Sequence, residues 1–314
     1  MEQKNFGNAG LSDSGLSPRG RSGWGRDYLQ LTKPSLNIMV VFSSVVSFML
    51  TPGFDHYEDK WKFILLLFAG GFLVTGGANA INMAVEKYTD ALMSRTKNRP
   101  VASGRMSQME AYIFGVICGI AGVFILGYFF NWLTAGIAVF SFFLYAFIYT
   151  PLKKINSIAV LVGAFPGAFP CLIGWVAGEN ELTMGGWILF GIQFLWQFPH
   201  FWAICWVAWK DYEKAGFKLL PSDLGPTKFT ALQAIIFQML LLPATLMPFV
   251  TGMCSYNDVA GVISLLLIVL ANIFMILRCV KLYKKLDIPS ARKVMFGSYM
   301  YLPVILLALY ISKV

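Results

Sequence analysis

Nine apolar runs set the rhythm of this chain, near residues 35–51, 61–83, 109–130, 132–150, 157–177, 184–209, 229–251, 257–279 and 294–312. Each is long enough to cross about 30 Å of hydrocarbon as a helix. The polar segments between them alternate in character. Those after the second, fourth, sixth and eighth runs are rich in Lys and Arg, and those after the others are nearly free of them. The pattern predicts an all-α polytopic membrane protein, a bundle of nine transmembrane helices.

Composition strengthens that reading, since 57% of the 314 residues are hydrophobic and 13% charged, against roughly a quarter charged in soluble domains. Of the 25 Lys and Arg residues, 22 fall in the N-terminal tail and the even-numbered loops. Basic residues are retained on the cytoplasmic side, so the N-terminus is expected inside and the C-terminus outside. The net charge of +9 is then accounted for by basic loops at an anionic leaflet, without nucleic acid. Four of the five cysteines lie in apolar runs, Cys254 falls in the short gap between the seventh and eighth, and they form no C-x-x-C, which argues against disulfides and a zinc site. Residues 1–33, rich in Gly and Ser, read as a disordered cytoplasmic tail, with one membrane domain over 34–314. Glu2, Asp13 and Asp27 argue against a mitochondrial transit peptide despite Arg19, Arg21 and Arg26, so the cell (inner) membrane is the expected location.

Polar side chains at membrane depth are costly, and each is a candidate for function. At the end of the second run, Asn79, Asn82, Glu86 and Asp90 are spaced by three, four and four, which puts them on one helical stripe. Arg95, Lys97, Arg99 and Arg105 follow directly. Carboxylates able to hold Mg²⁺, beside guanidinium groups that fork onto phosphate oxygens, are what a diphosphate leaving group requires. A second cluster ends the sixth run. Gln197 and His200 lie about 15 Å above Lys210 along the helix, near mid-bilayer, with Pro199 between them. Asp211 and Glu213 follow at the cytoplasmic end. His200 has two chemical options, a general acid or base and a haem-iron ligand. Both clusters run from outside to inside, so their acids would face one cavity open to the cytoplasmic side. Tyr149, Lys153 and Lys154 fall at the same face. Three glycines and two prolines in GAFPGAFPCLIGW (163–175) read as architecture.

The phrases LTKPSLN (31–37), NMAVEKYTDALMSRTKNRPVASGR (82–105), YTPLKK (149–154), WQFPHFWA (196–203) and DYEKAGFKLLP (211–221) occur in that order. With the nine runs, they make the chain resemble the UbiA-like intramembrane prenyltransferase superfamily, and within it the haem-farnesylating family. That resemblance implies transfer of a farnesyl group from farnesyl diphosphate to the vinyl group of haem B, with addition of water, giving haem O and diphosphate. It implies Mg²⁺ on Asn82, Glu86, Asp90 and Asp211, and diphosphate on Arg95, Arg99, Lys153 and Lys97. Glu86, Asp90, Arg95 and His200 would be catalytic, and His200, Gln197 and Trp202 would line the haem side. The enzyme that next oxidises haem O is the implied partner. The second acidic motif departs from the pattern of many superfamily members, because Val207 and Ala215 flank Asp211 where a paired aspartate would stand. Readings that stay open on the residues are a related prenyltransferase acting on a quinone precursor or chlorin, a membrane transporter, and a haem chaperone without catalysis.

Overall fold

The structure is a computed structural model that describes residues 23–314 except Asp223. Its first two helices, α1 (Trp24–Leu31) and α2 (Pro34–Met49), meet at a 46° bend. Then come α3 (Lys60–Val85), α4 (Lys87–Leu92), α5 (Gln108–Phe129) and α6 (Trp132–Phe143). A π-helical turn, Leu144–Tyr149, leads into α7 (Thr150–Leu152). The remainder is α8 (Ala159–Glu179), α9 (Met184–Val207), α10 (Trp209–Lys214), α11 (Lys228–Val250), α12 (Val259–Lys285) and α13 (Ile288–Ile311). Eight spans are long and apolar enough to cross a membrane, counting α6 through α7 as one, and the bent α1–α2 pair supplies the ninth.

Side-chain caps start several of these helices. Asp59, Asn131, Asp258 and Asp287 accept from backbone N–H groups in the first turns of α3, α6, α12 and α13. Ser107 and Glu110 form a reciprocal capping box on α5, which satisfies two amides that would otherwise lack partners.

Helix α8 is the axis of the bundle, with 78% of its most apolar stretch buried against 28% for the peripheral α12. It packs on α2, α6 and α9. Its two prolines do not interrupt it, and the carbonyl of Pro166, deprived of its usual partner by Pro170, accepts from Ser141 at 3.4 Å. The contact with α2 is backbone to backbone. A Cβ on Gly174 would collide with the Ser44 carbonyl. Helices α3 and α5 meet in the same way, with Gly77 and Gly115 on each other's backbone, the close approach that drives helix association where lipid removes the hydrophobic incentive.

Two expectations change. Within the presumed tail, residues 1–22 lie outside the described residues, but Trp24–Leu31 is helical. It is held because Asp27 accepts from Arg105 Nε at 3.1 Å while Leu31 is fully buried. The basic loop expected after the eighth run is mostly helix, since α12 continues to Lys285 and α13 begins at Ile288. Long basic side chains can extend a span past the hydrocarbon by reaching to water.

Candidate active site

The stripe on α3 passes through a deliberate break. Val85 ends α3, Glu86 takes φ −89° and ψ 12°, and α4 resumes at Lys87. The amides of Glu86 and Asp90 still bond to the carbonyls four residues back, at 2.9 and 2.7 Å. The i, i+4 pitch therefore survives, and Asn79, Asn82, Glu86 and Asp90 are all buried.

Three of these four meet a basic side chain. Lys33 Nζ lies 2.8 Å from Asn82 Oδ1. Lys153 Nζ lies 2.8 Å from Glu86 Oε1. One terminal nitrogen of Arg99 meets both oxygens of Asp90, at 2.9 and 2.8 Å. Asn79 is instead a tie between helices, donating to the Thr32 carbonyl at 3.4 Å and accepting from Tyr145 at 3.3 Å. Asn82 also donates to Thr150 Oγ1 at 3.2 Å, which joins α3 to α7.

Each basic side chain is positioned by its own backbone. Lys33 sits in the left-handed region, φ 48° and ψ 64°, between α1 and Pro34. Proline disfavours a helical conformation in the residue before it, so the chain bends there and the side chain turns towards Asn82. The segment after α4 is packed, with Met93, Thr96, Val101 and Met106 buried. Thr96 Oγ1 donates to the Asp90 carbonyl at 2.8 Å, and the Arg99 amide to the Thr96 carbonyl at 2.9 Å. That fold returns Arg99 to Asp90. The Lys153 ammonium lies 4.6 Å from the Tyr149 ring centre and 5.7 Å from that of Phe217, and its carbonyl accepts from the Lys218 amide at 2.8 Å. The segment after α10 is thereby closed over it.

Burial alone would push Glu86 up, but Lys153, reinforced by Lys33 and Arg99, outweighs it and holds the carboxyl below its usual value. Burial pulls Lys153 down, and Glu86 outweighs it in turn, so its ammonium is held above the usual range. Both groups are charged at neutral pH. Two buried ion pairs, Lys153–Glu86 and Arg99–Asp90, thus line the wall, with the Lys33 amine beside them on the Asn82 amide oxygen.

Asp211 stands apart from this wall. It is half-buried, accepting from Ser94 Oγ at 2.6 Å and from the backbone of Ser94 and Arg95, which keep its carboxyl below the usual value. Arg95 is exposed and reaches the Tyr212 hydroxyl at 3.4 Å. Together these contacts fasten the segment after α4 to α10. Glu213 and Lys97 are exposed and form no ion pair among the described residues, and Arg105 donates to Asp27, Gln30, Ser103 and the Asn98 carbonyl. Arg105 therefore braces α1 rather than joining the clamp. Among the described residues, no three Asp, Glu, His or Cys side chains form a ready-made metal cluster. The donors still suit Mg²⁺, which binds through one or two carboxylates plus substrate phosphates. Asn82, Glu86 and Asp90 are hard oxygen donors on one buried face, and the partners of both carboxylates are cations a phosphate can draw away.

On α9, the three residues expected on one side face three neighbours. His200 turns to α13, its Nδ1 2.7 Å from Ser298 Oγ. Gln197 turns to α8 and donates to the carbonyls of Ala164, at 2.9 Å, and of Gln193. Trp202 packs on Phe198 and on Phe237 of α11, with ring centres 5.5 and 5.4 Å apart. Trp202, two residues from His200, lies on another face, and Gln197, three residues away, commits its amide to α8. Gln197 and Trp202 are therefore placed in helix packing, and His200 shares its face with Trp196.

Lys33 was missed by the motif reading. Its signal was the Lys-Pro pair at the membrane edge, which marks a bend next to a cation.

Residues 39–302 match the UbiA prenyltransferase family. The protoheme IX farnesyltransferase of Flavobacterium johnsoniae is 42% identical over 91% of this chain and 94% of its own length. That of Cytophaga hutchinsonii is 39% identical over 91% and 97%. In fold, the chain resembles a solved digeranylgeranylglyceryl phosphate synthase, with a TM-score of 0.73 at 22% identity over 91% of this chain and 97% of the other. It also resembles a UbiA homolog from Archaeoglobus fulgidus bound to GPP and Mg²⁺, with a TM-score of 0.69 at 13% identity over 90% and 99%.

Proposed function

The chain belongs to the UbiA prenyltransferase family, and from that premise we propose that it farnesylates haem B to haem O. The observation that carries the reading is the buried wall on which Lys153 pairs with Glu86 and Arg99 with Asp90, with the Lys33 amine on Asn82 beside them. A diphosphate is the anion that these three basic side chains, converging from separate segments, suit. The acceptor is taken from the relatives that match over nine-tenths of the chain.

In this reading Arg99, Lys153 and Lys33 bind the diphosphate oxygens, with Arg95 approaching from the exposed side. As phosphate oxygens take over Arg99 and Lys153, Glu86 and Asp90 lose their cation partners and present oxygen donors with Asn82. Asp211 joins them from α10. Mg²⁺ held there supplies charge neutralisation for the leaving diphosphate. The allylic C–O bond breaks and its electron pair leaves with the diphosphate, stabilised by cations already fixed in place. The vinyl π pair of haem forms the new C–C bond. Water adds to the adjacent carbon and loses one proton, which completes the hydroxyethylfarnesyl side chain. Tyr145, Tyr149 and Phe217 beside the clamp keep water from the farnesyl cation and stabilise it through their rings.

The excess of basic residues in the even-numbered loops supports a site facing the cytoplasm, with the N-terminus inside and the C-terminus outside. The bacterial relatives support the cell membrane as its location. The enzyme that next oxidises haem O is the partner this product requires.

The reading is tested with membranes carrying the protein, incubated with haem B, farnesyl diphosphate and Mg²⁺. Mass analysis of the pigment is expected to reveal farnesylated haem, lost on Asp90→Asn or Arg99→Ala substitution. Absence of that product from the unaltered protein overturns the reading.

A further inference from the structure

One buried polar group remains unused by the reaction above, the Ser298 hydroxyl of α13. It is fully buried, and its Oγ lies 2.7 Å from His200 Nδ1 and 2.6 Å from the Met295 carbonyl. A hydroxyl has one proton and a carbonyl can only accept, so the Ser298 proton is committed to Met295. Were it turned to His200 instead, the lone pairs of two acceptor oxygens would face each other at 2.6 Å with no proton between them, a repulsion that the 2.6 Å separation argues against. The proton in the His200 contact therefore belongs to Nδ1. The imidazole is the Nδ1–H tautomer, and its lone pair is at Nε2.

The surroundings fix this arrangement. Trp196 stacks on the imidazole, ring centres 4.6 Å apart at 17°, and donates its indole N–H to the Ser298 carbonyl at 3.0 Å. Tyr299 meets the ring edge-on at 4.9 Å and Phe201 at 5.9 Å. Among the described residues, Nε2 has no hydrogen-bond partner. All the neighbours are neutral, and no described carboxylate touches the ring. An imidazolium here would be an unpaired buried charge, which weighs against proton uptake. A neutral nitrogen whose other N–H is anchored is the form in which histidine binds a metal.

We propose that Ser298 is a positioning residue that holds His200 in the Nδ1–H tautomer, so that Nε2 ligates the iron of the porphyrin substrate. The proposal rests on the haem reading given above.

The test uses the full chain in detergent, loaded with haem B and reduced, with resonance Raman spectra of the iron–imidazole stretch. The unaltered protein is expected to give that band, and His200→Ala to lose it. Ser298→Ala is expected to move it to lower frequency, because an imidazole without its Nδ1–H acceptor is a weaker donor. Ser298→Thr, which keeps the hydroxyl, is expected to restore it. The proposal is overturned if the unaltered protein lacks the band, if the band survives His200→Ala, or if Ser298→Ala leaves its frequency unchanged. Haem O formation is followed in parallel. A protein that ligates haem through His200 but forms no haem O contradicts the proposed function alone, and one that forms haem O without the band contradicts this inference alone.

Discussion

Lys153 Nζ lies 2.8 Å from Glu86 Oε1 across 67 residues of sequence, and both groups are buried. The pair closes the short α7 segment against the break between α3 and α4. It joins folding to chemistry at a single contact.

Removing either partner leaves the other charged in a low-dielectric setting, and loss of one member of a buried pair costs about 3 kcal/mol or more. Glu86→Gln and Lys153→Met are each expected to unfold in detergent at markedly lower temperature than the unaltered protein. The double variant is expected to recover part of the loss, the signature of coupling in a double-mutant cycle. Strictly additive single effects would mean that the two groups act independently.

The same pair fixes a pH window. Glu86 is held below its unfolded value, so its stabilisation is present above the ordinary carboxylate pKa of about 4.3 and is lost as pH falls through the lower folded value. Lys153 is held above its unfolded value, so its stabilisation is complete below about 10.4 and is lost as pH rises through the higher folded value. Thermal melts between these limits are expected to vary little on account of this pair. Below them, Glu86→Gln is expected to flatten the acid fall.

Among the described basic residues between α4 and α5, Arg99 is the one that meets an acid of the α3–α4 stripe, whereas Arg105 pairs with Asp27 of α1. Arg99→Ala is expected to lower kcat by about 10²-fold, the scale of one preorganised donor to a developing anion. Arg99→Lys recovers little, because a point charge does not replace the guanidinium fork. Lys97→Ala is expected to stay within about fivefold, as befits an exposed, screened charge (about 1 kcal/mol at most). Equal losses at Lys97 and Arg99 would contradict the clamp drawn here.

Asp211 carries two readings, as metal ligand and as partner of Ser94. They separate on Mg²⁺ dependence. Asp211→Asn keeps an acceptor for the Ser94 hydroxyl, and is expected to raise the Mg²⁺ needed for half-maximal turnover by roughly tenfold, as weakened metal shells do. Ser94→Ala removes the tether and leaves that requirement unchanged. A normal Mg²⁺ titration for Asp211→Asn would confine Asp211 to fastening α10.

The sequence discloses what one helix can disclose. The stripe from Asn79 to Asp90 is legible because the backbone repeats every 3.6 residues, and the nine apolar runs because hydrocarbon has a fixed thickness. The pairing of those acids is not legible, since Lys33 and Lys153 reach them from distant turns and Ser94 meets Asp211 across 117 residues. The grouping of Gln197 and Trp202 with His200 on the haem side followed from the family resemblance, whereas tertiary contacts send the three to α8, α11 and α13. Ser298 carries no signal at all in one dimension, because a buried serine on an apolar helix reads as packing.

Lys33 occupies a backbone conformation that costs a residue with a Cβ about 1 kcal/mol and costs glycine almost nothing. Glycine would make the sturdier bend between α1 and α2, yet glycine has no ammonium to offer Asn82. At this position the demands of folding and of ligand binding are opposed. Selection for thermal tolerance alone would drift away from lysine, and a chain of this kind that has lost its substrate would be recognised first by what stands before Pro34.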